Sequence, residues 1–578
     1  MTTQVNKTAL PAQHAVAWFD QWRISPVVLI LIGILLFVIV PPTLFLVNAS
    51  FHETLPDGSS GAFTLRFYQK LVEGKLFLPS LINTVIYACG SALIAIFIGT
   101  LQALIVERTN APGRRLAFLA AIISLGVPHI LYTVAWLLLL GRSGPVNDLL
   151  SFVFQKSQML DVYSLWGMML IEGVGFVPLT FLLMSAVLRS TDASFEEAAM
   201  MSGASPVKAF MRISLRMALP ALAGLTLLIF VKAFESFEVP ALVGLAGNVS
   251  VITTMIYQSS RQAGAANYGE AGAYSVCLVV ILLGLMLWQS QLSKNAKRYQ
   301  TITGKGFRPR VIDLGAWRYG ATAILVSLFL IVTVVPVLML AFTSFQPFYG
   351  GVSLEAFSRL SLENYEALLK PGSFRDSILN TLMLGTMTAT LVVPFTALCA
   401  WLVVRRASGA WLLDQIASVP LVFPAIILSV AFLDVFVNMS LPLYGTLLSV
   451  ILASSVRYLP YGMRYAFAGT MQIHSDLEEA ATISGASKAR IFIRILMPLL
   501  AATLVSSWLM IFLLSVQAVS LPLLLVGPGS EVMAVTLFEL WQNGQVTELA
   551  AMGILWIALM TCVSVTFHML TRRHQFSV

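Results

Sequence analysis

Charged side chains are scarce in this chain of 578 residues: Asp, Glu, Lys and Arg together make up 11%, whereas hydrophobic residues make up 58%. A water-soluble domain cannot bury that much apolar side chain, so the composition predicts a polytopic membrane protein. The net charge of +8 does not indicate nucleic-acid binding, because the basic residues lie in short runs beside apolar segments, as the positive-inside rule requires.

Several kinds of chemical site are also missing. The cysteines lie singly in or beside apolar runs, without the paired spacing of a metal or redox site, and the six histidines are scattered. No segment has the Gly-x-x-x-x-Gly-Lys-Ser/Thr pattern of a phosphate-binding loop, and the nearest candidate, at 304–306, lacks the upstream glycine and the hydroxyl residue. We therefore predict no catalytic residue, no metal site and no cofactor on this chain.

Apolar segments of about 20 residues, the length that crosses a bilayer, recur along the whole chain. We predict an all-α polytopic membrane protein with about 12 transmembrane helices in two parallel-oriented repeats of six. The chain divides into an N-terminal segment (1–25), a first half (26–290), a connector (291–317), a second half (318–570) and a tail (571–578). Basic residues concentrate in the connector and in the loops on its side, which predicts that both termini and the connector are cytoplasmic.

A ten-residue stretch occurs twice and sets the register of the repeat. Residues 196–205 read Glu-Glu-Ala-Ala-Met-Met-Ser-Gly-Ala-Ser, and residues 478–487 read Glu-Glu-Ala-Ala-Thr-Ile-Ser-Gly-Ala-Ser, 282 positions later. Other residues match on the same offset, including Pro178 with Pro460 and Pro240 with Pro522. Halves with an even number of spans have the same orientation, so we expect a pseudo-two-fold axis along the membrane normal and a pathway between the halves.

Each copy of the stretch predicts a short helix, a glycine break and a second helix. Ser194 with Glu197, and Asp476 with Glu479, have the spacing of a capping box, which predicts helix starts at residues 195 and 477. Gly203 and Gly485 are placed for a left-handed C-terminal cap, after which Ser205 and Ser487 are placed to cap the second helix. Small alanines on these helices favour close approach of a partner surface. The alternative is a capped surface helix before a membrane span.

Glu-Ala-Ala, three residues and then Gly, duplicated between spans 4 and 5 of each half, resembles the cytoplasmic loop of type I binding-protein-dependent ABC importer permeases. The resemblance implies that each loop docks into a separate ATPase subunit, two copies of which bind ATP and Mg, and that a periplasmic binding protein delivers the cargo. It implies a multi-pass protein of the bacterial inner membrane. The residues implied for ATPase coupling are Glu196, Glu197, Ala198, Ala199, Gly203, Glu478, Glu479, Ala480, Ala481 and Gly485.

The fused halves and the runs 140–147, 299–310 and 457–464 resemble the ferric iron branch of that family. Importers of thiamine, polyamines, phosphonates and sugar phosphates are close relatives and remain alternative assignments. A secondary transporter driven by an ion gradient, or a membrane enzyme, is disfavoured by the duplicated motif and by the lack of a catalytic cluster.

Ionisable side chains inside predicted spans are costly and therefore indicate function. Glu235 and Glu238 are three residues apart on one helix face, and Lys232 has the spacing to pair with Glu235. The alternative is ion pairs that lock neighbouring helices, or side chains that reach the interface; we favour it for Lys232 and Arg464. We expect Pro240 and Pro522 to break their helices. The residues expected to line a polar cavity or gate are Glu172, Glu235, Glu238, Ser520, Arg457 and Arg464.

Overall fold

The structure is a computed structural model. It describes residues 25–55, 60–156, 159–189, 194–209, 212–213, 215–261, 267–296, 311–369, 373–439 and 442–575. Predictions for the N-terminal segment up to residue 24, for residues 297–310 of the connector and for the last three residues lie outside this part of the chain.

The first half consists of helices that we number as spans in chain order. They are Pro26–Ser50 (span 1), Phe77–Arg108 (span 2), Arg114–Gly126 with His129–Leu140 (span 3), Leu165–Gly175 with Val177–Arg189 (span 4), Leu215–Phe234 (span 5) and Tyr268–Ala296 (span 6). Shorter helices are Arg66–Glu73, Pro145–Phe154, Ser194–Met201, Pro206–Ala209, Pro240–Gly244 and Ile252–Arg261. The strands His52–Thr54 and Ser60–Phe63 pair antiparallel.

The second half repeats this order. Its spans are Trp317–Phe329, Leu330–Val334 and Val335–Ser344 as one run (span 1), Ser373–Val404 (span 2), Trp411–Ser418 and Val419–Val422 with Ala425–Asn438 (span 3), Leu447–Met471 (span 4), Lys488–Ile491, Phe492–Leu496 and Met497–Leu499 with Ala501–Gln517 (span 5), and Val546–Gln575 (span 6). Shorter helices are Leu354–Ser358, Glu363–Leu369, Asp476–Ile483, Pro522–Leu524 and Met533–Gln542.

Seven helices in the described part of the chain are long and apolar enough to cross a membrane, and eleven crossings result if each of four bent pairs counts as one. Leu447–Met471 is also of spanning length, with 25 residues. It contains Arg457 and Arg464, which interrupt its apolar character. The observed helices confirm the all-α polytopic fold, because helices are the structure that satisfies backbone polar groups within a bilayer.

Span 3 is sharply bent in both halves, by 100° in the first and 103° in the second. The bends fall at Val127-Pro128 and Phe423-Pro424. A residue before proline is restricted to extended backbone, and Val127 (φ −79°, ψ 122°) and Phe423 (φ −95°, ψ 117°) both adopt it. The same local chemistry therefore produces the same bend in the two copies.

Matching tertiary contacts confirm the repeat. The hydroxyl of Thr84 accepts a hydrogen bond from the Ile252 N–H at 3.1 Å, and that of Thr381 accepts one from the Met533 N–H at 2.7 Å. Both threonines lie near the start of span 2, and both donors begin the short helix that precedes span 6. Equivalent residues thus make equivalent contacts in parallel-oriented halves.

The two halves interlock. Span 1 of the first half packs against both helices of span 3 in the second half, and Val335–Ser344 of the second half packs against His129–Leu140 of the first. The first span of each half therefore packs against the third span of the other half. This arrangement brings the bent third spans and the broken fifth spans to the centre of the molecule.

The end of the connector is fixed to the first half beside span 2. The Ile312 N–H donates to the Arg108 carbonyl at 2.8 Å, and the Asn110 N–H donates to the Ile312 carbonyl at 3.2 Å. Hydrogen bonds from the Gly315 N–H and the Asn110 amide lower the pKa of Asp313. The start of the second half is thereby tied to the loop that follows span 2 of the first.

Candidate functional site

The duplicated motif forms two short helices, which we name the first motif helix (Ser194–Met201) and the second motif helix (Asp476–Ile483). Each begins one residue earlier than predicted. In the second motif helix the capping residue is Ser475, and its side chain makes no capping hydrogen bond, so the predicted Asp476–Glu479 box is wrong. The side chains of Ser194 and Glu197 lie outside the described set.

The predicted glycine breaks are present. Gly203 has φ +88° and Gly485 has φ +80°, the left-handed conformation that favours glycine. The second helix of each motif begins as predicted, because the Ser487 hydroxyl accepts from the Arg490 N–H and the Ser205 hydroxyl lies 3.4 Å from the Lys208 nitrogen. Each motif is therefore a helix, a left-handed turn and a second helix.

The first glutamate of each motif is directed into the protein. Arg108, at the end of span 2, forms a buried ion pair with Glu196 at 3.2 Å. Arg405, which follows span 2 of the second half, pairs with Glu478 at 2.7 Å, and the Trp401 indole N–H donates to the same carboxylate at 2.9 Å. These anchors correct our expectation that the whole motif faces a partner.

The opposite face of each motif helix is open. Met201 is 92% exposed and Ile483 is 88% exposed, and they occupy equivalent positions 282 residues apart. Ala480 and Glu479 are also exposed. Each motif helix thus leaves one large apolar side chain almost fully exposed at the same position of the repeat. The exposure of this pair was not predicted from the sequence, although the repeat offset aligns the two positions.

We expect Glu478→Ala to loosen the second motif helix. The substitution leaves the Arg405 guanidinium and the Trp401 N–H without their acceptor, a loss of about 1–3 kcal/mol for hydrogen bonds to a charged group. Amide exchange over residues 476–483 should then rise by roughly tenfold. Glu479→Ala, on the exposed face of the same helix, is the control and should leave exchange unchanged; equal exchange in both variants would contradict the anchoring role.

A second cluster of polar residues lies where the fifth spans end. The Lys232 ammonium contacts the Glu235 carboxylate at 2.5 Å, as predicted, and the Arg457 guanidinium of the second half lies 3.6 Å from the same carboxylate. Arg457 also donates to the carbonyls of Pro420 (3.3 Å) and Phe423 (2.7 Å) at the bend of span 3. One carboxylate thus joins the two halves.

Glu238 and Ser520 touch each other, with the Ser520 hydroxyl donating to Glu238 Oε1 at 2.9 Å. The two positions are equivalent in the repeat, 282 residues apart. Two equivalent points can be this close only if both lie next to the axis that relates them. The contact therefore marks the pseudo-two-fold axis, where any pathway between the halves must pass.

The helix breaks predicted at the prolines are present on both sides of that contact. Span 5 of the first half ends at Phe234 and helical backbone resumes at Glu238, two residues before Pro240, so the break covers 235–237. In the second half span 5 ends at Gln517 and a turn begins at Pro522. We name 235–239 the first gate segment and 518–521 the second gate segment. Non-helical backbone at membrane depth is tolerated beside a cavity or packed protein.

The remaining predicted pathway residues lie apart from the inter-half ion pair. Glu172 is fully buried and pairs with His129 Nε2 at 2.8 Å within the first half. Arg464 is exposed and lies seven residues after Arg457 on the same helix, which separates the two residues by about 10 Å along the helix axis. The sequence did not single out His129, because its partner is 43 residues distant and belongs to another span.

A cavity of about 900 Å³ opens at the end of the molecule opposite the motif helices. Tyr257 and Arg261 line it from the first half and Gln542 from the second, and the Gln542 amide lies 3.4 Å from the Tyr257 hydroxyl. The cavity thus lies at the boundary of the two halves. It provides a polar mouth on the side away from the motif helices.

These features define a class of protein: an all-α membrane protein whose two equivalent halves meet at a central axis, each with one motif helix at an equivalent position. Residues 95–344 and 392–575 match the family described as binding-protein-dependent transport system inner membrane component. The matched segments cover more than half of the sequence, and the chain therefore belongs to this family. It is the permease of an ABC importer, a multi-pass component of the bacterial inner membrane, which confirms the resemblance drawn from the motif.

Two ferric transport permeases are similar to this chain over most of its length, and a phosphonate transport permease is similar over less than half of it. A putative ferric transport system permease protein, FbpB 1 of Haemophilus influenzae, is 27% identical over 89% of this chain and 79% of its own length. The ferric transport system permease protein FbpB of Actinobacillus pleuropneumoniae is 25% identical over 95% of this chain and 78% of its own length. A putative 2-aminoethylphosphonate transport system permease protein, PhnU of Salmonella typhi, is 28% identical over 42% of this chain and 84% of its own length.

Among solved structures, a bacterial ABC transporter that imports the acidic polysaccharide alginate is similar to this chain. It is 20% identical, with a TM-score of 0.39, over 49% of this chain and 97% of that one.

Proposed function

We propose that this chain supplies both halves of the translocation pathway of a ferric iron importer, and that two copies of an ABC ATPase dock onto its motif helices. The observation that carries the proposal is the pair of motif helices, each anchored through its first glutamate and each exposing an apolar side chain at an equivalent position. A rigid, anchored helix transmits force to the span that holds it. ATP and Mg bind to the ATPase subunits, so ATP hydrolysis occurs on chains other than this one.

Alternating access follows from the arrangement at the axis. Closure of the ATPases on ATP draws the motif helices together, and Arg108 and Arg405 pass that displacement to the second spans. The gate segments at the axis, held by the Ser520–Glu238 contact, then separate or meet. Because the two states differ in the spacing of the motif helices, nucleotide biases one over the other.

The cargo assignment is supported by the two relatives named as ferric transport permeases, which align over most of both halves. The relative named for 2-aminoethylphosphonate aligns with less than half of this chain and is the reason to test a phosphonate as the second candidate. Thiamine, polyamines and sugar phosphates follow as cargo classes of the same branch. A periplasmic binding protein delivers the cargo to the outer cavity, and the termini and motif helices face the cytoplasm.

The test is to purify the chain from its native membrane with the proteins that bind it, and to titrate the co-purified binding protein with candidate cargo. We expect an ATPase in a 2:1 ratio to this chain, and a binding protein that binds ferric iron more tightly than 2-aminoethylphosphonate. Tighter binding of the phosphonate would transfer the assignment to that cargo. Absence of any ATPase from the purified complex would contradict the docking proposal.

A secondary transporter is the competing class, because Glu172, Glu235 and Glu238 lie at membrane depth, where carboxylates act as proton relays in ion-driven carriers. We expect vesicles that contain this chain alone to transport neither ferric iron nor phosphonate under a proton or sodium gradient. Vesicles that contain the complete complex should transport when ATP is inside them. Gradient-driven uptake by the chain alone would favour the secondary transporter.

A further inference from the structure

The cavity of about 900 Å³, which we name the outer cavity, contains one hydroxyl group that both halves contact. The Tyr257 hydroxyl accepts a hydrogen bond from Arg261 Nη1 at 3.2 Å, and it accepts one from the Gln542 amide of the second half at 3.4 Å. All three residues line the cavity. Because both neighbours are N–H donors, the proton of the hydroxyl is left to donate to a group inside the cavity.

This junction lies beside the axis that relates the two halves. The short helices that precede the sixth spans begin at residues 252 and 533, 281 positions apart, and make equivalent hydrogen bonds to the second spans. On this offset Tyr257 matches Phe538 and Arg261 matches Gln542. The matched rings lie with their centroids 6.0 Å apart, and the matched polar side chains reach the same hydroxyl. The outer cavity therefore opens onto the pathway between the halves.

Arg261 gives the outer cavity a positive charge that its lining does not cancel. Among the described residues that line the cavity, the charged side chains are Arg261, Lys70 and Glu270. Lys70 and Glu270 form an ion pair at 2.9 Å and cancel each other. Glu539 attracts Arg261 from outside the lining without forming an ion pair with it. An arginine is always protonated in proteins, so the cavity combines one permanent positive charge with the Tyr257 hydroxyl.

The same lining is unsuited to a bare metal cation. Hard cations are held in proteins by carboxylate oxygens. Both oxygens of Glu270 already accept hydrogen bonds, Oε1 from Tyr274 at 2.9 Å and Oε2 from Asn267 at 3.1 Å, in addition to the bonds from Lys70. The Arg261 guanidinium repels a cation, whereas its planar N–H groups match the geometry of carboxylate and phosphate oxygens.

The fold does not require either of the two donors. At the equivalent positions the second half has Phe538, which lacks the hydroxyl, and Gln542, which lacks the charge. Phe538 is 0% exposed and Tyr257 is 6% exposed, so the ring packs equally well with and without the hydroxyl. The hydroxyl and the charge are therefore features of the first half alone, and they indicate a ligand rather than a packing role.

We propose that the outer cavity binds an oxyanion group of the incoming cargo between the Arg261 guanidinium and the Tyr257 hydroxyl. The identity of the cargo rests on the proposed function. Ferric iron then passes this mouth as an anionic chelate, with its charge masked by carboxylate or phosphate-type ligands, and not as the bare ion. A phosphonate offers the same oxyanion chemistry, so the experiment compares the two sources.

The test is equilibrium binding of radiolabelled citrate to the purified full chain in lipid nanodiscs, without ATPase or binding protein. Tyr257→Phe with Arg261→Gln introduces the second-half residues and should lower the affinity for citrate at least tenfold. Lys70→Gln is the matched control, because it removes one positive charge from the same cavity and leaves Arg261 and Tyr257 in place; it should lower the affinity no more than twofold. Absence of citrate binding to the wild type, or equal loss in the control, would overturn the site.

Competition against the bound citrate identifies the source of the oxyanion. We expect ferric citrate to displace the label at a lower concentration than 2-aminoethylphosphonate does; the reverse order would overturn the iron chelate and assign the site to a phosphonate. These readouts need neither transport nor ATPase, so failure of the proposed function leaves them intact. In cells, uptake of radiolabelled ferric citrate by the double variant should fall at least tenfold. Uptake at the wild-type rate, with citrate binding lost, would overturn the role of the site in transport.

Discussion

Replacing both motif glycines by tryptophan, as Gly203→Trp with Gly485→Trp, is expected to abolish uptake while the chain still inserts in the membrane. Both residues adopt positive φ, and a Cβ added at either position would meet no atom of the described residues within 4 Å. The new side chains therefore disturb little inside the protein beyond a backbone strain of about 1–2 kcal/mol each. They occupy the space beside the motif helices into which, on the proposed function, an ATPase docks.

The measurements are cargo uptake, the amount of the chain in the membrane and the amount of ATPase that co-purifies with it. Gly544→Trp is the matched control, because Gly544 has φ +75° and lies at the opposite end of the molecule, and a Cβ added there would also meet none of the described atoms within 4 Å. It carries the same strain and should retain the ATPase. Normal uptake by the double motif variant, or equal loss of ATPase in the control, would contradict docking at the motif helices.

Much of the architecture was predictable because it depends on local chemistry. Apolar runs of spanning length predicted the helices, and Gly203 and Gly485 predicted the left-handed turns. Pro240 and Pro522 predicted the breaks of the fifth spans. Each of these features is set by a residue and its immediate neighbours. The duplication then supplied the relation between halves, since a repeated pattern implies a repeated fold.

The contacts that build the site were less predictable, because they join residues far apart in the chain. Glu196 and Glu478 were assigned to a docking surface, but each pairs with an arginine about 80 residues earlier and faces inward. Arg108 and Arg405 could have been found, since they are 297 residues apart, the same separation as Thr84 and Thr381 of the second spans. The ion pair of Glu235 with Arg457 joins the two halves, so it depends on how the halves pack together. A local sequence pattern cannot predict that packing.

Arg457→Ala is expected to be among the most damaging single substitutions in the membrane region. The guanidinium contacts Glu235 of the other half and donates to two carbonyls at the bend of span 3, where Pro424 prevents normal helical hydrogen bonding. Its removal leaves the largely buried Glu235 carboxylate with one cation fewer and the Phe423 carbonyl without its donor, whereas the Pro420 carbonyl keeps the Phe423 N–H. Loss of one partner of a buried pair costs about 3–5 kcal/mol.

Arg464→Ala on the same helix is the control for that experiment. Arg464 is exposed, so its removal should change stability by no more than about 0.5 kcal/mol. Thermal unfolding of the purified chain and uptake in cells should both fall for the Arg457 variant and remain near wild type for the Arg464 variant. Equal effects of the two substitutions would show that the inter-half pair is not a structural element.

Arg457→Lys separates charge from geometry at the same position. A lysine ammonium is a point charge on a flexible stem and lacks the planar fork that reaches Glu235 and the two carbonyls together. If the charge alone holds the halves in register, this variant should restore both stability and uptake. We expect Arg457→Lys to restore stability in part but not uptake. The gate requires one side chain to hold both the bend of span 3 and the Glu235 carboxylate, and lysine cannot reach both.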